Sequence, residues 1–295
     1  MSANAILIAN HTDKSLIQDT KKSTSDYRAY DLFLRVSLEG FTLNVYDKDK
    51  NKHLALKSYL MQEVKDFDEL CQELHALFVK EELLQRYYPN VKVLFEGQKN
   101  TLIPYPLFDI NELSNYLRFN HPLRQKEEIS YDDLQNLEAY HVYAVPVPLK
   151  NFLANKFTRF KIQNYISSLI EILLINNKNQ RLENTAFVNV RNSFFDIIHI
   201  EGNKLLLANS FRYRTREDFA YYLLYVLHQS GLNPEDVRVI FMGEIDKNSN
   251  LYEISYQYIR NIEFIARNDF FRYSYVFDDV PVGYYYNLLN TGLCE

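Results

Sequence analysis

Two stretches of this chain read as copies of one another, and a copied plan leaves few folds open. Phe33-Leu34-Arg35-Val36-Ser37-Leu38-Glu39-Gly40-Phe41-Thr42-Leu43-Asn44-Val45-Tyr46 runs against Phe187-Val188-Asn189-Val190-Arg191-Asn192-Ser193-Phe194-Phe195-Asp196-Ile197-Ile198-His199-Ile200. Each is an apolar alternating run, a polar interruption and a second alternating run, the pattern of a β-hairpin. A third strand-like run, an amphipathic helix and an apolar strand ending in glycine follow in both copies. The offset is 187 − 33 = 154 at the first strand. At the later one, Val93-Leu94-Phe95-Glu96-Gly97 against Val239-Ile240-Phe241-Met242-Gly243, it is 239 − 93 = 146. A near-constant offset over several elements implies two similar lobes facing a cleft.

The 295 residues suffice for two domains with a core each. We expect a polar N-terminal tail, or a loosely attached strand, over 1–28. A first lobe with a linker helix follows over 29–180, and a second lobe over 181–295. In the first lobe, Asp66 is placed to cap a helix whose stripe is Leu70, Leu74, Leu77, Phe78 and Leu84. In the second, Thr215 caps a helix that buries Phe219, Tyr222, Leu223, Val226 and Leu227. Strands joined through helices after a three-stranded meander give a mixed-sheet α/β plan, here occurring twice.

Composition closes off several functions. A net charge of −5 leaves no basic footprint for nucleic acid or an anionic membrane. Cys71 and Cys294 have neither metal-ligand spacing nor a disulfide framework, which fits a reducing cytoplasm. The run Ala5-Ile6-Leu7-Ile8-Ala9 is too short for a secretion signal and lacks a cationic lead. No stretch approaches the roughly 18 apolar residues of a membrane span. We therefore expect a cytoplasmic protein with no direct membrane insertion. The seven histidines show neither HxH nor HExxH spacing, and no nucleophile elbow or Cys–His pattern occurs. His141 and His199 lie in strands and read as packed or surface residues.

The second hairpin turn, Asn189-Val190-Arg191-Asn192-Ser193-Phe194-Phe195-Asp196, sits where the actin-like ATPases carry Asp-x-Gly-Gly-Gly-Thr-x-Asp. Their first phosphate loop, Asp-x-Gly, falls on Arg35-Val36-Ser37, and their adenosine motif on Val239-Ile240-Phe241-Met242-Gly243-Glu244. On these residues the chain resembles the actin-like ATPase architecture, an α/β fold of two pseudo-symmetric ribonuclease-H-like lobes. The resemblance is closer to a Bacteroidetes domain-of-unknown-function family with that fold. It rests on Val188 to Asp196, Leu207-Ala208-Asn209-Ser210-Phe211, Gly243-Glu244-Ile245-Asp246 and Asn287-Leu288-Leu289-Asn290.

The departures decide the functional expectation. Phosphate loops use glycine so that backbone N–H groups reach the anion without an intervening Cβ. Here Arg191, Asn192 and Ser193 replace the three glycines, while Asn189 and Arg35 replace the leading acids that would anchor Mg²⁺. Hydrolysis by the family mechanism is not expected, and clustered carboxylates for a nuclease are missing for the same reason. The candidate degenerate cleft comprises Arg35, Ser37, Asn189, Arg191, Asn192, Ser193, Asp196, Gly243 and Glu244. Asp196 reads either as a remnant water or metal contact or as an acid bonding nearby backbone N–H groups. Arg35 and Arg191 read either as an anion clamp or as interlobe ion pairs with Glu39, Glu244 or Asp246. Aromatics are the other candidate surface: with 24 Tyr, 20 Phe and no Trp, Tyr221-Tyr222-Leu223-Leu224-Tyr225 and Tyr284-Tyr285-Tyr286 either fill cores or meet a partner. The expectation is a non-catalytic binding or assembly scaffold with a protein partner and no cofactor. Its alternative is a nucleotide-binding protein or slow ATPase that takes ATP and Mg²⁺ through altered loops.

Overall fold

The structure, a computed structural model, describes residues 5–12, 30–178 and 183–293. Most of the expected tail and part of the expected polar linker, 179–182, therefore lie outside the described residues. The chain forms two compact units, Met1–Leu169 with Asp269–Asp279, and Ile170–Asn268 with Val280–Leu293.

The first unit is built on a sheet of β1 (Ala5–Thr12), β2 (Tyr30–Val36), β3 (Gly40–Asp47), β4 (Lys52–Met61), β5 (Asn90–Phe95) and β9 (Lys161–Asn164). Its order is β1-β4-β3-β2-β5-β9. The meander β2-β3-β4 is antiparallel, whereas β5 pairs β2 and β9 pairs β5 in parallel. Helix α1 (Phe67–Lys80) connects β4 to β5. Its cap is the expected one, the Asp66 carboxylate accepting from the Glu69 N–H, and it buries Leu70, Leu74, Leu77 and Phe78. Each such side chain contributes about 1.5–3 kcal/mol on leaving water.

A three-stranded antiparallel sheet, β6 (Asn100–Pro104), β7 (Glu127–Leu134) and β8 (Ala139–Pro146) in the order β6-β8-β7, is inserted before β9. With it come α2 (Leu113–Asn120) and α3 (Val147–Lys156). The linker helix α4 (Tyr165–Asn177) then carries the chain out of the first unit.

The second unit repeats the plan. Its strands are β10 (Thr185–Val190), β11 (Phe194–Glu201), β12 (Lys204–Arg212), β13 (Arg238–Gly243) and β14 (Asn261–Phe264), in the order β12-β11-β10-β13-β14. The pairing directions match those of β4-β3-β2-β5-β9 strand for strand. Helix α5 (Arg216–Gln229) begins in a full capping box between Thr215 and Asp218 and buries Phe219, Leu223, Val226 and Leu227. Two short helices, α6 (Asn250–Tyr256) and α7 (Tyr286–Asn290), follow. The segment Asp269–Asp279 belongs to the first unit. There β15 (Arg272–Tyr273) pairs β4 in parallel, and Phe271, Tyr273 and Phe277 surround the buried His53 ring at 5.1, 5.2 and 6.0 Å.

Strand registers make the duplication quantitative. Leu34 pairs Leu43 as Val188 pairs Ile197, so the offset of 154 holds across the whole hairpin. Lys52 maps on Lys204, Ser58 on Ser210, and the bulge at Val45/Tyr46 recurs at His199/Ile200. The later strand corrects the sequence register. Leu34 sits beside Val93, and Val188 beside Phe241, so the offset there is 241 − 93 = 148. Alignment on glycine misled by two residues: the counterpart of Gly243 is Phe95, and that of Glu244 is Glu96.

Candidate functional site

In both units the first hairpin turn, which resemblance assigned to phosphate, is closed by its own atoms. The Ser37 N–H donates to the Gly40 carbonyl at 3.0 Å. In return the Ser37 hydroxyl accepts from the N–H groups of Glu39 (3.2 Å) and Gly40 (3.0 Å). The amides that would otherwise cradle an anion are thus engaged by a side-chain oxygen. At the matching place in the second unit, the Arg191 N–H donates to the Phe194 carbonyl at 2.8 Å. The Ser193 carbonyl accepts from the Tyr213 N–H at 3.1 Å, leaving Asn192 exposed at the tip.

Asp196 is fully buried and organises the second turn. Its carboxylate accepts from Asn189 Nδ2 at 2.8 Å, from an Arg191 guanidinium nitrogen at 2.5 Å and from the Ser210 hydroxyl at 2.5 Å. The expectation of backbone N–H donors is corrected: all three donors are side chains. They come from β10, from the turn and from the neighbouring strand β12, so the acid ties three segments together. Register explains the convergence, because Asn189 and Ser210 both pair directly with Asp196 across the ladders. Arg191 lies back over this cluster with its side chain 9% exposed, its guanidinium 5.6 Å from the Phe194 ring. In the first unit the same positions hold Arg35, Thr42 and Ser58. There the acid is gone, and Thr42 bonds Ser58 hydroxyl to hydroxyl at 2.9 Å.

Arg35 is paired with Glu96, the side chains 12% and 6% exposed, and its guanidinium lies 5.6 Å from the Tyr165 ring. Sequence reading had assigned Glu96 no role; the two-residue register error hid that it is the counterpart of Glu244. Glu96 follows β5 and Glu244 follows β13, and each donates its N–H to the last carbonyl of the neighbouring parallel strand, Glu96 to Val36 of β2 at 3.0 Å and Glu244 to Val190 of β10 at 2.7 Å. Gly243 has a structural requirement. Its φ is +82°, and a Cβ there would lie 2.1 Å from the Val190 carbonyl oxygen.

These donors do not suit Mg²⁺. A divalent metal takes several carboxylate or carbonyl oxygens, and the first-strand positions carry a guanidinium and an amide. The single acid is already satisfied by three donors. Among the described residues no three His, Cys, Asp or Glu side chains are grouped to hold a metal ion.

A second polar cluster lies in the first unit. His141 Nε2 lies 3.0 Å from Asn100 Oδ1, and Nδ1 lies 2.7 Å from the Ser167 hydroxyl. Asp132 accepts from the Asn164 N–H at 2.8 Å and from the Tyr143 hydroxyl at 3.1 Å. Burial lowers the His141 pKa to about 3 and raises that of Asp132 to about 6. A serine, a histidine and an aspartate are thus neighbours, but His141 and Ser167 are sealed from solvent. With no route for a substrate, the cluster is an internal brace.

Of the two aromatic stretches, Tyr286 is buried, while the α5 stretch divides by face. Tyr222 stacks on Phe211 at 5.4 Å, whereas Tyr221 and Tyr225 are exposed and stack on each other at 6.1 Å.

Comparison with known proteins fits this geometry. Residues 19–262 match the family model of DUF3822, described as a protein of unknown function. A Bacteroides thetaiotaomicron protein with an actin-like ATPase fold and unknown function superposes with a TM-score of 0.73 at 24% identity, over 82% of this chain and 94% of its own. The PilM-PilN type IV pilus biogenesis complex gives 0.61 at 12% identity, over 90% of this chain and 98% of the chain matched. No curated protein matches. The fold is that of the actin-like ATPases, two ribonuclease-H-like units with mixed sheets.

Proposed function

The chain belongs to the DUF3822 family, and we propose that it is a non-catalytic cytoplasmic binding or assembly protein on an actin-like fold. One observation carries this reading. The sole acid retained from the family loop, Asp196, is buried and bonded by Asn189, Arg191 and Ser210. Both oxygens of this carboxylate are engaged and the side chain is sealed from solvent, so it does not stand open to a water or a metal, and hydrolysis in this fold depends on positioning both. Two further features favour the reading. Ser37 occupies the amides of its own turn, and tyrosines of α5 stand exposed on the second unit. That PilM, on a similar fold, occurs in a complex with PilN is an analogy of fold alone. Among the described residues, no helix is long and apolar enough to cross a membrane.

The test is thermal unfolding of the full chain with and without millimolar ATP and Mg²⁺, paired with a phosphate-release assay. A ligand at 100 times its Kd stabilises by about 2.7 kcal/mol, a shift of a few degrees at this size. We expect no shift and no phosphate. A saturable shift would establish the nucleotide-binding alternative, and phosphate release would overturn the non-catalytic reading.

A further inference from the structure

Besides the sheet inserted in the first unit, the two units differ at one sheet edge. In the first, the outer side of β4 is covered along nearly its whole length. Residues Lys52 and His53 pair with β15, and Ala55 to Met61 pair antiparallel with β1. The equivalent strand in the second unit, β12, is the end of its sheet among the described residues. It has the same starting lysine, the same serine at the acid-side position and the same bulge. Yet β4 is mostly buried, while β12 alternates between exposed and half-buried, with Leu206 52% exposed. A nine-residue edge with Leu205-Leu206-Leu207-Ala208 along it offers a row of outward N–H and C=O groups, a template for another strand once the Ser210 N–H leaves the exposed Asn209 side chain that it now donates to.

We propose that the outer edge of β12 receives an extended segment of a partner protein, antiparallel to Leu207–Arg212, as β1 is to β4. The duplication fixes the binding mode, β-strand addition. Charge fixes the kind of segment. Lys204, Arg212 and Arg214 are exposed and make no ion pair among the described residues, Arg214 acting on Asp218 only at longer range, in a chain of net charge −5. An antiparallel guest lays its N-terminal end against Arg212 and Arg214, so its acidic residues precede its apolar run. A second copy of this chain is the poorer guest: two-fold pairing about Ala208 sets Lys204 against Arg212, and like charges directly opposite are unfavourable. This inference deepens the reading of the protein as a binding module and rests on it, while standing apart from the ATP result.

The probe is a fluorescein-labelled peptide of the sequence of residues 5–12 with two aspartates added before it, since that segment pairs with the equivalent strand. We expect saturable binding to the full chain, slowed amide hydrogen exchange over Leu207–Arg212, and at least tenfold weaker binding without the aspartates or with Arg212→Glu. Leu206→Lys, which puts a charge on the edge, weakens it similarly; both positions are exposed, and thermal unfolding checks that both variants fold. Absence of saturable binding at millimolar peptide, or protection confined to Lys52–Met61, overturns the proposal. Concentration-dependent dimerisation that protects Lys204–Arg212 without peptide also overturns it, assigning the edge to a second copy. A null peptide result beside a null ATP result removes the edge and leaves the non-catalytic reading intact.

Discussion

His141 makes the stability of this protein pH-dependent in a calculable way. In the folded chain its ring is sealed among Asn100, Ser167 and the strand core, and burial lowers its pKa from 6.5 to about 3. Protonation would place a charge, and a second ring N–H, in a site that offers no water to solvate it. The unfolded chain binds that proton below pH 6.5, and the folded chain only near pH 3. Stability is therefore complete above pH 6.5 and is lost as pH falls from there toward 3. Each pH unit in that window costs about 1.4 kcal/mol, so about 2 kcal/mol is gone by pH 5 and about 5 kcal/mol at the limit. Other groups titrate too, among them His199, whose pKa burial also lowers. The decisive quantity is thus the difference between wild type and His141→Gln, which keeps a donor and an acceptor. Urea unfolding at pH 7 and pH 5 should show the wild type losing about 2 kcal/mol more than the variant. Equal losses would refute the claim that a neutral, buried His141 carries this dependence.

Asp132 acts with the opposite sign. Burial raises its pKa from 3.8 to about 6, so stability falls as pH rises through that interval, by about 3 kcal/mol in full. Asp132→Asn should flatten that fall in stability in urea titrations between pH 4 and 6. Arg191→Met leaves the Asp196 charge buried with two neutral donors and should cost about 3–5 kcal/mol. Adding Asp196→Asn should return part of that loss, a double-mutant coupling of about 2–3 kcal/mol by chemical denaturation; additive effects would deny that the two form one unit. Gly243→Ala meets both a positive φ and the Val190 carbonyl, and should destabilise by at least about 2 kcal/mol. Gly202→Ala, with positive φ but open space around it, should cost only about 1 kcal/mol in the same assay.

The sequence by itself determined the repeated hairpin, the Asp66 and Thr215 caps and most of the buried stripes of α1 and α5, although Leu84 falls in a 3-10 turn beyond α1 and Tyr222 is only half-buried. These are local: strand alternation, a capping hydroxyl or carboxylate and a 3.6-residue stripe each fall within a few consecutive positions. It also located the altered phosphate loops, because a missing glycine or acid is visible without coordinates. Tertiary structure alone decided what those residues do. Asp196 is satisfied from three segments, one of them β12, fourteen residues away, and Arg35 finds Glu96 sixty-one residues on. Such partners are set by ladder register, and register was where the sequence misled, since matching glycines concealed a two-residue slip that the hydrogen bonds resolve. The pairing of β1 and β15 along β4 was equally hidden, because edge pairing joins segments distant in the chain and leaves no periodic signal. That long-range pairing distinguishes the copied sheets of the two units, closing one edge and leaving the other exposed among the described residues.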